Sequence, residues 1–251
     1  MIQISHITKH FDAKAVLQDI NATFQKGKVN LIIGKSGSGK TVLLKTLIGL
    51  ITADTGTINY DGTEITGKNT KNMTQIRKEM GVVFQGGALF DSLNVLDNIT
   101  FPLTLFSTAT EKEKQRKAHS ALQRVDLRDV ARLYPSELSG GMKKRVAIAR
   151  AIVHQPKYLF CDEPNSGLDP LTATLIDNLL SEITHENNIT AVINTHDMNS
   201  VFEIGEHITF IHQGRKQWEG NRQEILQADD PALDEFLFTS KLNQTVKRNA
   251  K

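Results

Sequence analysis

The chain has 251 residues, 39% hydrophobic and 23% charged, with a formal net charge of +2; that is an ordinary globular composition, enough for one large domain or one domain with an insertion. The near-neutral balance and the lack of a long basic run exclude a nucleic-acid patch, and a single cysteine, Cys161, excludes an internal disulfide framework and fits a reducing compartment. No stretch reaches the roughly 18 uninterrupted apolar residues of a membrane span, and the opening "MIQISHITKHF" has no charged-then-apolar leader pattern, so the expectation is a soluble chain without direct membrane insertion, any membrane role being supplied by a partner.

Residues 1–33 read as strands: "MIQISHI" alternates, and "VNLIIG" is a short buried strand running into glycine. A helix starts at "KTVLLKTLIGL" (40–50). "TGTINYDGTEI" carries an Asp61-Gly62 hairpin turn, and "MGVVFQ" (80–85) is another strand. From about 93 to 152 the pattern turns helical, with Thr110 and Glu113 spaced for a capping box. Strands return at "KYLFCDE" (157–163). A helix follows from Pro170, with apolar residues at 171, 175, 176, 179, 180 and 183. "ITAVINTH" is a further strand, and "HITFIHQGRKQWEG" a hairpin around Gln213-Gly214. The last 30 or so residues hold a helical "ALDEFLFTSKL" and a basic end. This order predicts an α/β fold: a mainly parallel sheet with helices on both faces, an antiparallel sheet at the N-terminus and an inserted helical block.

Gly34-Lys35-Ser36-Gly37-Ser38-Gly39-Lys40-Thr41 matches G-x-x-x-x-G-K-[ST] in full, after a strand and before a helix. Its glycines let backbone N–H groups curl around phosphate, Lys40 brings a cation to the β/γ oxygens, and Thr41 offers a hydroxyl to Mg²⁺. In "YLFCDE", a strand ending in Asp162 sets a carboxylate beside that loop to hold Mg²⁺ through water, and Glu163, pointing elsewhere, can orient and deprotonate a water. Gln85 ends a strand with an amide able to ligate Mg²⁺, and His196 ends another. Each could be a polar cap in isolation. Three parallel strands ending in Gln85, Glu163 and His196, however, would bring all three to one sheet edge. A second glycine pair, in "ELSGGMKKR" (137–145), sits at the start of a helix and reads as another anion-binding loop.

Together these residues resemble an ABC-transporter nucleotide-binding subunit. The set runs in the family's order: P-loop 34–41, Gln85, "LSGGM" 138–142, "YLFCDE" 158–163, "SGLD" 166–169 and His196. The resemblance implies a P-loop NTPase (RecA-like) core with an antiparallel β subdomain and a helical subdomain near 86–155, within a nucleotide-binding domain over 1–220; residues 221–251 would be a C-terminal helical extension and basic tail. It implies an ATPase using ATP and Mg²⁺, working as a head-to-tail homodimer against integral-membrane permease subunits. It assigns Phe11 to stacking on adenine, and Thr41, Asp162 and Gln85 to Mg²⁺. Glu163 becomes the general base and His196 the γ-phosphate contact. Ser139, Gly140 and Gly141 act on the ATP of the other subunit, and Asp169 communicates between the two sites.

A narrower likeness lies outside that set. "FQGGALFDSLNVLDNITFPL" (84–103), "PSELSGGMKKRVAIARAI" (135–152), with Met142 in place of the commoner Gln, and "DEPNSGLDP" (162–170) are similar to the ATPases of Mla/Mce phospholipid transporters. It implies an Mce-type lipid-binding partner and a peripheral place on the cytoplasmic face of the inner membrane. "QEILQADDPALDEFL" (223–237) resembles a segment that docks on the other ATPase subunit there; whether it does so here stays open. Phe90, Leu93, Val95, Leu96 and Ile99 read as core of the helical block that floors a permease groove. Another cargo, such as an amino acid or a metal chelate, stays open. A non-transport ABC ATPase of DNA repair or translation fits less well, since the chain has one cassette and no heptad run. A small-molecule kinase would leave "LSGGM", Gln85 and His196 unexplained.

Overall fold

Short, mostly apolar runs without alternation become the centre of a sheet, because strands covered on both faces have no exposed side for a polar series. The computed structural model describes residues 1–65 and 70–238. In chain order the elements are β1 (Ile2–Phe11), β2 (Lys14–Phe24), β3 (Val29–Ile33), α1 (Lys40–Leu47), β4 (Thr55–Tyr60), β5 (Thr63–Glu64), α2 (Thr70–Arg77) and β6 (Met80–Val83). There follow α3 (Val95–Phe106), α4 (Glu111–Arg124), α5 (Gly140–Ile152), β7 (Tyr158–Asp162), α6 (Pro170–Glu186) and β8 (Thr190–Thr195). The described part ends with α7 (Met198–Ile204), β9 (His207–His212), β10 (Arg215–Gly220), α8 (Glu224–Gln227) and α9 (Pro231–Leu237). The expected basic tail 241–251 lies outside the described residues.

The six-stranded sheet runs β10-β9-β3-β8-β7-β6, parallel except where β10 returns antiparallel beside β9. Every residue of β3, β7 and β8 is buried. Alternate side chains go to opposite faces: Val29, Leu31 and Ile33 join a core with the later helices, while Ile32 joins a second core with α1 and the antiparallel sheet. That second sheet has the order β2-β1-β4-β5. Asp61 and Gly62, and Gln213 and Gly214, all take positive φ, the pairing a two-residue hairpin turn needs.

Helices α3, α4 and α5 occupy the stretch between β6 and β7, each with a side-chain cap: Asn94 accepts from Asp97 N–H, Thr110 and Glu113 form a reciprocal box, and Ser139 accepts from Met142 N–H. No described helix is long and apolar enough to cross a membrane.

Two expectations change, and the C-terminal segment is found against its own chain. On α6 only Ile176, Leu180 and Ile183 are fully in the core; Leu171 is 73% exposed and Leu175 is also exposed. The same turns pack through Thr172, 2.9 Å from a Cβ built on Gly141, and through the buried Ala173, so Leu171 and Leu175 lie on their open side. Val95 and Ile99 are core, but Phe90 is exposed and pairs with the exposed Phe101 at 4.7 Å. Segment 223–237 packs on its own chain: Ile225, Leu233 and Leu237 are buried, and Phe236 stacks on Phe210 of β9 at 5.5 Å.

Candidate nucleotide site

The P-loop is built by exclusion. At Gly34 φ is 150°, and a Cβ there would lie 2.2 Å from the Ile211 carbonyl oxygen, so no other residue lets β3 pass β9 into the turn. Gly39, at φ 110°, caps α1 under the Val16 carbonyl. Gly37, between them, has nothing within 4 Å of a built Cβ and faces open space. The β9–β10 hairpin steadies the loop from outside, with Gly214 N–H donating to Ser38 O at 3.1 Å.

Lys40 is 5% exposed. Its ammonium donates to the carbonyls of Gly34 (2.7 Å) and Lys35 (3.1 Å). Burial pulls its pKa down, and the Glu163 and Asp162 carboxylates pull it back up. Ser38 Oγ is buried without a hydrogen-bond partner. A buried hydroxyl with nothing to bond costs stability, and together with the open face at Gly37 it fits a loop whose polar atoms are completed by a phosphate ligand. Lys35 Nζ reaches out instead, pairing with Glu235 of α9 at 2.7 Å. Ser36 is exposed at the loop's rim.

Asp162 closes β7, 5% exposed. Its Oδ1 accepts from Thr41 Oγ1 at 3.1 Å and from Asn194 Nδ2 at 3.0 Å. A hydroxyl and a carboxylate this close are hard oxygen donors suited to Mg²⁺. Among the described residues no group of three or more His, Cys, Asp or Glu could cage a metal, so an ion at Thr41 and Asp162 would complete its shell with substrate oxygens and water, the usual habit of Mg²⁺.

Next in the chain, Glu163 takes φ 48°, the left-handed region that a non-glycine residue occupies at a cost. The turn aims its carboxylate across the strand ends. Oε2 accepts from Gln85 Nε2 at 3.0 Å, and Oε1 lies 3.0 Å from His196 Nδ1. The ends of β6, β7 and β8 thus bring Gln85, Glu163 and His196 into one cluster beside Asp162.

Two residues that sequence reasoning passed over hold this cluster to α5. Lys144 is buried, and its ammonium donates to the Gln85 carbonyl and, at 3.4 Å, to the Glu163 carbonyl. Arg150 donates to Gly87 O and Ala88 O, both at 2.7 Å. The visible clue was two cations on the apolar face of "KKRVAIAR".

Other predicted site residues lie apart. Phe11 ends β1 with its ring exposed, Lys9 Nζ 5.5 Å from the centroid. Ser139 and Gly140 are exposed, and the bonds of their loop are local: Ser139 Oγ accepts from Met142 N–H at 3.3 Å. A Cβ on Gly141 would meet Thr172 Cγ2 at 2.9 Å. Asp169 caps α6, accepting from Thr172 N–H (3.0 Å) and Oγ1 (2.6 Å), bonds that hold its carboxyl below the usual range.

The ABC transporter family profile matches residues 17–166. A probable ribonucleotide transport ATP-binding protein, mkl, of Mycobacterium tuberculosis is 36% identical over 94% of the chain, which spans 66% of that relative's length. The intermembrane phospholipid transport system ATP-binding protein MlaF of Haemophilus influenzae is 34% identical over 94% of the chain and 90% of the relative. The methionine import ATP-binding protein MetN of Clostridium tetani is 41% identical over 86% of the chain and 67% of the relative. Among solved structures, the dimeric bacterial ABC transporter cassette MJ0796 superposes with a TM-score of 0.82 at 30% identity, covering 88% of this chain and 99% of that one. The same cassette is also known as a dimeric post-hydrolysis state bound to ADP and Pi, at a TM-score of 0.81. The P-loop, the glycine-led α5 and the carboxylates at the strand ends therefore have a shared origin: the chain belongs to the ABC transporter family, as one of its ATP-binding cassettes.

Proposed function

We propose that the chain binds Mg-ATP, hydrolyses it in composite sites made by two copies, and uses the cycle to drive a membrane permease. The observation that carries this reading is the Glu163 carboxylate, held at 3.0 Å by Gln85 on one oxygen and by His196 on the other. A carboxylate fixed at both oxygens has one orientation in which to receive a proton. Residues 1–220 act as the nucleotide-binding unit and the helices within 86–155 as its moving arm.

In this reading the P-loop amides and Lys40 hold the phosphates while Phe11 stacks on adenine. Thr41, Asp162 and Gln85 hold Mg²⁺, which when bound neutralises charge on the β- and γ-phosphates. Glu163 orients the attacking water and takes its proton, and His196 turns its ring to the γ-phosphate. Ser139, Gly140 and Gly141 present the N-terminus of α5 to ATP held by the partner copy, and Asp169 relays between the two sites. The post-hydrolysis dimer known for MJ0796 supports the two-copy arrangement.

The permease would seat on the exposed Phe90, Phe101, Leu105, Phe106 and Leu50. Leu50 and Phe106 line a cleft of about 240 Å³ with Phe84, Pro102, Arg150 and His154. Arg150 links that cleft to the loop after Gln85, a route by which dimer closure moves a docked helix. In this reading the chain works peripherally on the cytoplasmic face of the inner membrane. Phospholipid is the favoured cargo, supported by segments 84–103 and 135–152 and by the near full-length likeness to MlaF, with an Mce-type lipid-binding protein as the further partner. Amino-acid import is the second reading, favoured by the 41% identity to MetN.

Replacing Glu163→Gln tests the chemistry: turnover should fall by about 10³-fold while ATP binding persists. Near-normal turnover would defeat the assignment. For the cargo, the complex should be purified from membranes. A permease bringing an Mce-type subunit and phospholipid supports the first reading, and an amino-acid-binding partner the second.

A further inference from the structure

A buried polar knot behind the site has no part in the chemistry so far. Asp177, midway along α6, is 3% exposed. Its Oδ2 accepts the Ser200 hydroxyl at 2.6 Å, and Asn165 Nδ2 lies 3.4 and 3.3 Å from Oδ1 and Oδ2. Asn165 Nδ2 also donates to Ser200 Oγ at 2.9 Å and reaches Asp197 Oδ2 at 3.5 Å.

The partners matter by position. Asn165 stands two residues beyond Glu163 and four before Asp169. Ser200 lies in the first turn of α7, directly after the segment that carries His196. Asp197 follows His196 and caps α7, accepting from Asn199 N–H at 2.9 Å. Two acceptor oxygens on Asp177 therefore tie the loop of Glu163 and Asp169 to the helix behind His196. An apolar side chain would fill the space without the cost of burying a charge. Burial, aided by the Asp197 and Glu203 carboxylates, pushes the Asp177 carboxyl up to about 6, and the buried Cys161 thiol of β7 feels the Asp177 charge in turn. The fold keeps an expensive group where only its pair of acceptors is useful.

We infer that Asp177 is a positioning residue of the ATPase site, its carboxylate clamping Asn165 and Ser200 so that Glu163 and His196 keep their spacing. The inference rests on the ATPase reading above. A small misplacement of a reacting group lowers turnover without weakening ground-state binding.

The test is steady-state ATPase of the full chain, with wild type and Glu163→Gln as references. Asp177→Asn should lower kcat about tenfold with KM for ATP within about twofold, and its thermal midpoint at pH 8 should not fall. Ser200→Ala should lower kcat in the same way, less steeply, and the double variant should be no worse than Asp177→Asn alone, since both act through one clamp. With wild-type turnover present and Glu163→Gln inactive, the ATPase reading stands. Wild-type kcat in both clamp variants then overturns this inference alone, as does a loss of kcat matched by a rise in KM or by lowered stability. A wild type without turnover overturns both.

Discussion

The two glycine-rich helix starts, at α1 and at α5, use similar residues in opposite settings. The first is locked inside its own chain. Gly34 presses on the Ile211 carbonyl, Gly39 lies under Val16, and Lys40 is buried on the loop's own oxygens. The second is held by one local cap, with Ser139 and Gly140 exposed. A helix N-terminus attracts anions in either case. The first forms a finished half-site, and the second is exposed, free in the proposed dimer to meet a ligand held by another copy. That difference is the physical ground for a site shared by two copies.

The contrast can be broken most sharply with a methyl group. Gly34→Ala puts a carbon 2.2 Å from a backbone oxygen at a φ of 150°, so denaturant unfolding should show a loss of about 4 kcal/mol or more. Gly140→Ala, with its nearest atom at 3.8 Å and no positive φ to relieve, should leave folding within about 1 kcal/mol, any change being a gain because alanine is the better helix former. Equal damage at both would erase the distinction.

Ser139→Arg sharpens it next. The exposed position tolerates the side chain, so ATP binding to a single copy should stay within about twofold, while turnover falls about 100-fold because the second copy cannot close. Equilibrium binding and steady-state hydrolysis on one preparation separate the two effects.

The smallest expected effect concerns the clamp. The Asp177 carboxyl is raised from 3.8 to about 6, so the folded state holds its proton more tightly than the unfolded one. The contribution of this one group to stability is then most favourable below about pH 4, declines as pH rises toward 6, and carries the full penalty above that. Asp177→Asn removes the charge. It should gain about 2 kcal/mol over wild type at pH 8 after allowing for a weaker hydrogen bond, and the gain should vanish near pH 4. Thermal melts across that range would show it.

Much of the fold and of the nucleotide site is legible in the residues alone. The strands leading to Asp162 and His196 are short, mostly apolar runs, the loop 34–41 has a fixed spacing, and parallel strands must present their ends together. What escapes depends on partners that periodicity does not name. Leu171 and Leu175 keep the helical spacing of core residues, yet both are exposed. Phe90 looks like core until its neighbour Phe101 proves exposed as well. Lys144 and Arg150 stand out on the apolar face of α5, but only the packed fold shows that they turn onto the carbonyls of Gln85, Gly87 and Ala88. Asp177 sits within an apolar stripe, and its partners are 12 and 23 residues away.

The central claim is that each ATP is worked on by two copies, and mixing two crippled variants tests it most directly. Lys40→Ala lacks the phosphate grip, and Ser139→Arg lacks the outward loop; each alone should hydrolyse almost nothing. In a mixed dimer the intact P-loop of one faces the intact Ser139 loop of the other. An equimolar mixture should therefore recover up to about a quarter of wild-type turnover, one good site in half of the dimers. Turnover no higher than the sum of the two variants alone would contradict the shared site.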